Sequence, residues 1–350
     1  MKLNFCTLFN SNYLSRGVLL YHSLQRNCKE FHLYVYAFDD KTYEYLSKAN
    51  YPNLTVISLK QFEDAELLRI KPTRSAGEYC WTCSSSTILY SIVNFNLDNC
   101  TYIDADMCFY SDPKVLVDEM GSNSVLITEH RYTKAYDQSE ESGKYCVQFV
   151  TFKNTPEGMK VLKWWRDACI DWCYGYIEDG KFGDQKYLDT WTRDFKGVHE
   201  LKHLGGGLAP WNMQQYNFTK SGNSIKGVET VSSKEFEAVF FHFHGLKLYK
   251  NDMVSLTGEK YEMNEQAKEL FFKPYVKELM QIASEIRAKD NSFDSNGANQ
   301  VCENLPMSTG KLLKFYQYDI RKNPLNIFGS KTRARLAHYH YYRVSDFINK

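Results

Sequence analysis

The stretch Tyr102-Ile103-Asp104-Ala105-Asp106-Met107-Cys108-Phe109-Tyr110-Ser111-Asp112-Pro113 decides how the rest of the sequence is read. A polar break at Asp98-Asn99-Cys100 precedes it, its apolar residues alternate, and Ser111-Asp112-Pro113 closes it. That is the pattern of a short buried strand running into a loop. Two carboxylates therefore stand where a strand ends. Successive strand side chains point to opposite faces, so Asp104 and Asp106 are expected on one side, with the small Ala105 leaving backbone room for a ligand. Two ionised carboxylates beside buried residues repel one another and lose hydration unless a cation or hydrogen-bond donors compensate. Hard oxygen ligands of this kind suit Mg2+ or Mn2+.

Asp-x-Asp has two other uses. The pair can merely solvate a strand end and start a turn, and the apolar lead-in is what favours a cation instead. Aspartyl-phosphate phosphatases use the same spacing, with Thr or Val two residues after the second Asp and the motif on the first strand of the domain. Here Cys108 takes that place, and the strand lies far from the N-terminus.

Upstream, Leu3 to Phe9 reads as a strand that breaks at Asn10-Ser11-Asn12, and Tyr13 to Leu24 carries apolar residues at helical spacing. Phe31 to Phe38 and Leu54 to Ser58 are further strands around a helix at Thr42 to Ala49, and Glu78 to Phe95 reads as a long helix before the acidic strand. This βαβαβ rhythm implies an α/β fold with a mainly parallel sheet flanked by helices. Ligands of such sheets bind outside the carboxyl ends of the strands, which places Thr7, Asn10, Asn12 and Tyr13 on the binding edge. A tyrosine ring with short amides suits a nucleobase, although a capping loop with a packed tyrosine reads the same way. The loop lacks Gly-x-Gly-x-x-Gly and Gly-Lys-Thr/Ser, which disfavours a dehydrogenase or a phosphate-loop kinase.

Downstream, Ser124 to Glu129 and Val147 to Phe152 are expected strands, with a polar, lid-like loop at Ala135 to Lys144 between them. Glu157 to Tyr176 reads as an amphipathic helix. Gly183-Asp184-Gln185 is expected to start a helix capped by Asp184, presenting a carboxylate and an amide to a hydroxyl-rich ligand. Gly205-Gly206-Gly207 before Pro210-Trp211 suggests a turn or a close backbone approach. Ala238 to Phe243 is a strand leading into His242-Phe243-His244-Gly245-Leu246-Lys247, a grouping able to give a metal ligand, from either histidine, and a cation for phosphate.

The whole chain of 350 residues is 43% apolar and 15% aromatic, with Tyr 26 and Phe 22, which excludes disorder and favours stacking surfaces of the kind sugars use. A net charge of +1 offers no basic field for nucleic acid. The start reads as a strand instead of a signal peptide, and no run reaches membrane-spanning length. The ten cysteines lack metal-finger spacing, and Cys80/Cys83 sit one helical turn apart, as packing residues of a reduced, cytoplasmic protein would.

In this order, from Leu3 to about Lys247, the pieces resemble the GT-A type nucleotide-sugar glycosyltransferases, most nearly the family-8-like bacterial enzymes. The resemblance implies a Rossmann-like GT-A fold. It implies that Asn10-Ser11-Asn12-Tyr13 holds the nucleoside, with Asn10 where the family usually has an acid; Thr7 joins them on the binding edge by its place at the strand end. Asp104, Ala105 and Asp106 would meet the donor diphosphate and its Mn2+ or Mg2+, His242 would be the third metal ligand, and Gly245 and Lys247 would lie at phosphate. Asp184 and Gln185 match the family's Asp-Gln near the donor sugar and carry the catalytic assignment. Where relatives often have Asn-x-Gly, this chain has Cys146-Val147-Gln148, and no arginine stands at Trp81-Thr82-Cys83. The implied activity is sugar transfer, with retention, from a nucleotide sugar such as a UDP-sugar to a glycan or lipid-linked acceptor in cell-surface polysaccharide biosynthesis. A non-catalytic nucleotide-sugar or glycan binding module on the same fold is the alternative.

Residues 1–260 are expected to form that domain and 261–350 a mostly helical extension, with Asn264 to Ala288 a long helix and 289–304 a polar linker. From Lys311 onward the chain is basic and aromatic (Arg321, Lys322, Lys331, Arg333, Arg335 and Arg343, with Tyr339, Tyr341 and Tyr342). This tail is either a solvated helix or a peripheral attachment to the inner face of an anionic membrane.

Overall fold

A computed structural model describes residues 2–304, 306–322 and 336–349. The central sheet has seven strands: β1 (Leu3–Phe9), β2 (Phe31–Ala37), β3 (Leu54–Ser58), β4 (Asn99–Ile103), β6 (Val125–Glu129), β7 (Tyr145–Lys153) and β8 (Val198–Glu200), with β5 (Met107–Phe109) lying outside it. Their order is β3-β2-β1-β4-β7-β6-β8. β7 runs antiparallel to both of its neighbours and every other pairing is parallel, so the architecture is mixed α/β with a mainly parallel sheet, as the sequence rhythm implied.

All seven residues of β1 are buried, because helices cover both faces of the sheet. On one face, helix α1 (Leu14–Asn27) packs with the helix Lys273–Lys289 around Phe5, Phe9, Leu20 and Tyr275. On the other, the helices Ala76–Asn94 and Pro156–Asp171 pack around Tyr36, Ile88, Phe152 and Trp165. α1 approaches the sheet closely because residue 17 is glycine; a Cβ there would lie 2.2 Å from the Phe9 ring. The helix Ala76–Asn94 begins with a reciprocal cap, Ser75 accepting from the amide of Glu78 while Glu78 accepts from the amide of Ser75.

The acidic stretch differs from the sequence expectation. β4 ends at Ile103, and Asp104, Ala105 and Asp106 form a turn before β5. The turn is fixed by the amide of Asp104 donating to Gln148 O (3.3 Å) and that of Met107 donating to Asp104 O (3.3 Å). The carboxylates converge through this turn and not through strand alternation.

β5 pairs antiparallel with β12 (Phe240–His242), with His242 opposite Met107. The triple glycine resolves as a close approach to a neighbouring strand: Gly205 O accepts from Val239, and a Cβ on Gly205 would stand 1.8 Å from Glu237 O. Strands β9 (Tyr216–Ser221), β10 (Ser224–Glu229) and β11 (Glu235–Glu237) form a small antiparallel sheet leading into β12.

Three further segments depart from their sequence reading. The helix expected to Tyr176 stops at Asp171. Asp184 caps no helix; a 3-10 turn at Lys186–Thr190 follows Gln185 without a side-chain cap. The loop 135–144 carries a short helix, Ser139–Ser142, tied down by Lys186 Nζ donating to Ser139 O (2.7 Å). β13 (Lys247–Tyr249), β14 (Met253–Ser255) and β15 (Tyr341–Arg343) form a last sheet. Helical residues 265–289, with a π turn at Lys268–Phe272, lie between β14 and β15 in the chain. In the stretch 289–304, Ser295 and Asn296 are buried against α1. All ten cysteines are free thiols, buried apart from the half-buried Cys80. Among the described residues no helix is long and apolar enough to cross a membrane. Lys331, Arg333 and Arg335 of the basic tail lie outside the described residues.

Candidate metal and nucleotide site

The turn after β4 and the end of β12 meet. Phe243 donates its amide to Asp106 O (2.9 Å), which fixes the histidine strand against the acidic turn. His242 Nε2 stands 3.1 Å from Asp106 Oδ1 and 3.7 Å from Asp104 Oδ2. One ligand atom from each of these three residues lies within 4.8 Å of the others. His242 is 6% exposed, while Asp106 and Asp104, at 17% and 29%, retain an opening to solvent.

The orientation of His242 has a specific cause. Its Nδ1 lies 2.8 Å from Gln148 Oε1, an atom that only accepts, so Nδ1 carries a proton and Nε2 is turned to the carboxylates. Gln148 reaches this position because β7 lies beside β4, and its own Nε2 is buried without a partner among the described residues. Two carboxylate oxygens and one borderline nitrogen form a donor set that fits Mn2+ or Mg2+.

The electrostatics agree with that fit. Burial drives the Asp104 carboxyl up, opposed by His242 and reinforced by its like-charged neighbour Asp106. Burial also acts on Asp106, but His242 draws its carboxyl below the usual range. Burial opposes a charge on His242, yet Asp106 raises its pKa well above that of a free imidazole. A cation bound by the three groups would offset the same carboxylate charges that raise the His242 pKa.

Around this cluster stand the other expected residues. Tyr13 is 42% exposed, and its hydroxyl pKa is raised by Asp106 first and then by burial, which places it at the rim of the acidic site. Ala105 is buried. Thr7 is fully buried, and its Oγ1 has no partner among the described residues. Asn10 spends its side chain locally, accepting from the amide of Asn12 (3.1 Å), and Asn12 is exposed. Gly245 adopts φ +80°, a conformation that favours glycine, and Lys247 is exposed on β13. His244 packs against Trp211, and among the described residues the cluster of possible ligands contains His242 and not His244.

Asp184 is buried behind the acidic turn. Its backbone carbonyl accepts from Trp165 Nε1 (2.9 Å), and burial pushes its carboxyl up to about 7, with Ser84 opposing the shift and Asp104 adding to it. Gln185 is turned elsewhere: its Nε2 donates to Ser142 O (2.6 Å).

Four residues went unassigned in the sequence. Gln148 could have been singled out as an amide inside an otherwise apolar strand. Arg16 is 4% exposed, with its guanidinium 4.5 Å over the Tyr13 ring, and it helps to lower the Asp106 carboxyl. Asp39 follows β2 and accepts from the amides of Ser11 and Thr42 (both 2.8 Å), clamping the loop after β1. Trp211 packs edge-on to His242 with ring centroids 5.5 Å apart. Nothing in the local sequence around Arg16, Asp39 or Trp211 signals these long-range contacts.

No family model matches the chain. It is similar to the uncharacterised protein YfnD of Bacillus subtilis (strain 168), with 28% identity over 294 residues that cover 83% of this chain and 93% of YfnD. Among solved structures, it is similar to the galactosyltransferase LgtC in complex with donor and acceptor sugar analogues, at 14% identity and TM-score 0.43, covering 69% of this chain and 87% of LgtC. It is also similar to the bifunctional glycosyltransferase WbbM, at 12% identity and TM-score 0.49; there the match covers 81% of this chain and 51% of WbbM, about half its length.

Proposed function

We propose that this chain is a metal-dependent GT-A glycosyltransferase that moves a sugar, with retention, from a nucleotide sugar, a UDP-sugar first among them, to a hydroxyl of a glycan or lipid-linked acceptor. The observation that carries the reading is the convergence of Asp104, Asp106 and His242, with Gln148 orienting the imidazole, beside the loop after β1. A bound Mn2+ or Mg2+ would supply positive charge toward a leaving diphosphate.

The chain's own groups divide the remaining work. Tyr13 offers a half-open ring face to a nucleobase beside the acidic cluster, with Thr7, Asn10 and Asn12 along the same strand end. Lys247 and the backbone at Gly245 follow the histidine strand and would meet phosphate. With a carboxyl raised to about 7, Asp184 can both accept from and donate to sugar hydroxyls near neutral pH. Gln185 holds the segment Ser139–Ser142 through Ser142 O, and it would approach an anomeric carbon by exchanging that bond for one to the donor. The helix Thr309–Lys322 exposes Leu313 and, with the basic residues after it, would attach the enzyme to an anionic membrane carrying a lipid-linked acceptor, on the cytoplasmic side.

The reading is tested by UDP release from a panel of UDP-sugars with Mn2+ present. Turnover abolished by EDTA and by Asp106→Asn supports it. Nucleotide binding without any turnover across the panel would instead make the chain a binding module.

A further inference from the structure

The stretch 294–299 has the composition of a linker, yet it makes a dense set of specific contacts with both halves of the candidate site. Asp294 builds the turn from inside, Oδ1 accepting from the amide of Asn296 (3.0 Å) and Oδ2 from that of Ala298 (2.8 Å). On one flank, Ser295 O accepts both the hydroxyl and the amide of Ser15 (2.8 and 3.1 Å), and Asn296 O accepts Arg16 Nη1 (2.9 Å). Gly297, at φ +55°, lies so near the loop after β1 that a Cβ there would stand 2.7 Å from Asn12 Cβ and 2.8 Å from Asn12 O. On the other flank, Asn299 donates to Leu248 O (2.8 Å) and accepts from the amide of Lys250 (3.1 Å), both at β13.

Arg16 is the second observation. A buried guanidinium is costly unless something offsets its charge. Among the described residues its partners are two carbonyls, Asn296 O and Leu246 O (3.4 Å), and the face of Tyr13. The guanidinium thus ties the turn at Asn296, the loop carbonyl of Leu246 and the Tyr13 ring into one layer.

We propose that the Asp294–Asn299 turn is a wall of the pocket for a nucleoside diphosphate, and that Ser15, Arg16, Asn296 and Gly297 are positioning residues that hold Asn12 and Tyr13 in their binding arrangement. This rests on the reading that the loop after β1 takes the donor nucleoside. The C-terminal stretch then acts on nucleotide affinity through Tyr13 and Asn12, and leaves the Asp104–Asp106–His242 cluster to bind its ion independently.

The experiment titrates UDP, with saturating Mn2+, into the full chain and into the variants Gly297→Ala and Ser15→Ala, and titrates Mn2+ alone into each. A methyl at a positive φ, pressed against Asn12, should weaken UDP binding by about 5–30-fold. It should raise the KM for the donor by the same factor while kcat changes little. Mn2+ affinity should stay at the wild-type value, which marks the fold and the ion cluster as intact. Ser15→Ala removes a single hydroxyl and keeps the backbone bond, so it reports on the wall should Gly297→Ala fail to fold. Wild-type UDP affinity in both folded variants overturns the proposal while leaving the donor reading in place. Absence of UDP binding by the wild-type chain overturns both.

Discussion

Replacing Gln148 by leucine tests why His242 faces the two carboxylates. The amide oxygen of Gln148 accepts from Nδ1 at 2.8 Å and so presents Nε2 to Asp106 and Asp104, at 3.1 and 3.7 Å. Outer partners of this kind typically carry about 10–100-fold in metal affinity, or about 1.4–2.7 kcal/mol. Leucine matches the volume without the acceptor, which frees the ring to rotate and allows the tautomer protonated on Nε2. The substitution removes the Gln148 Nε2, which is buried without a partner among the described residues, but it strands the Nδ1–H of His242, so a loss of about 1–3 kcal/mol in stability accompanies it. Calorimetric titration of Mn2+ at fixed pH, with thermal melting as the control for folding, should give that loss of affinity. Unchanged affinity in a variant that still melts cooperatively would refute the orienting role.

Other outcomes follow from the same geometry. Because Asp106 raises His242 well above the ordinary imidazole value, an ion must displace a proton from Nε2. Mn2+ affinity should therefore rise with pH from 6.5 up to the folded-state value, and the binding heat should vary with buffer ionisation enthalpy; heat independent of buffer would contradict this. Without metal the sign for stability is opposite: the raised histidine stabilises fully below its unfolded pKa and loses that contribution as pH rises through the folded one. Asp184, raised from 3.8 to about 7 by burial, likewise favours folding at low pH, by at most about 4 kcal/mol lost between pH 4 and 7. Asp184→Asn should thus gain stability relative to wild type as pH rises through that window, and parallel melting curves would count against the burial argument. Gly205→Ala, whose Cβ would meet Glu237 O at 1.8 Å, should cost about 1–3 kcal/mol or more and weaken Mn2+ binding by shifting β12. An unchanged midpoint in chemical denaturation would show that the strands can separate freely.

The parts legible in the sequence are those in which a local pattern carries the information. The alternation of strand and helix from β1 to β4 was written in apolar spacing, and the Asp-x-Asp pair and the histidine strand stood out because polar groups interrupt buried runs. What escaped depends on contacts made far along the chain. Gln148 meets His242 across 94 residues, and Arg16 meets Asn296 across 280, neither of which a local window contains. Asp184 resembled a cap because Gly-Asp-Gln before Tyr-Leu imitates a helix start, yet its backbone is claimed by Trp165 and its carboxyl is buried. The acidic residues read as strand because nothing local marks where pairing switches from the central sheet to β12, which happens between Ile103 and Met107.

Metal-dependent transfer would require a single ion held jointly by the turn after β4 and the end of β12. Manganese electron paramagnetic resonance on the purified chain with UDP counts that ion directly. One bound Mn2+ per chain is expected, lost in Asp106→Asn and in His242→Ala. Stoichiometric binding that survives both substitutions would contradict it.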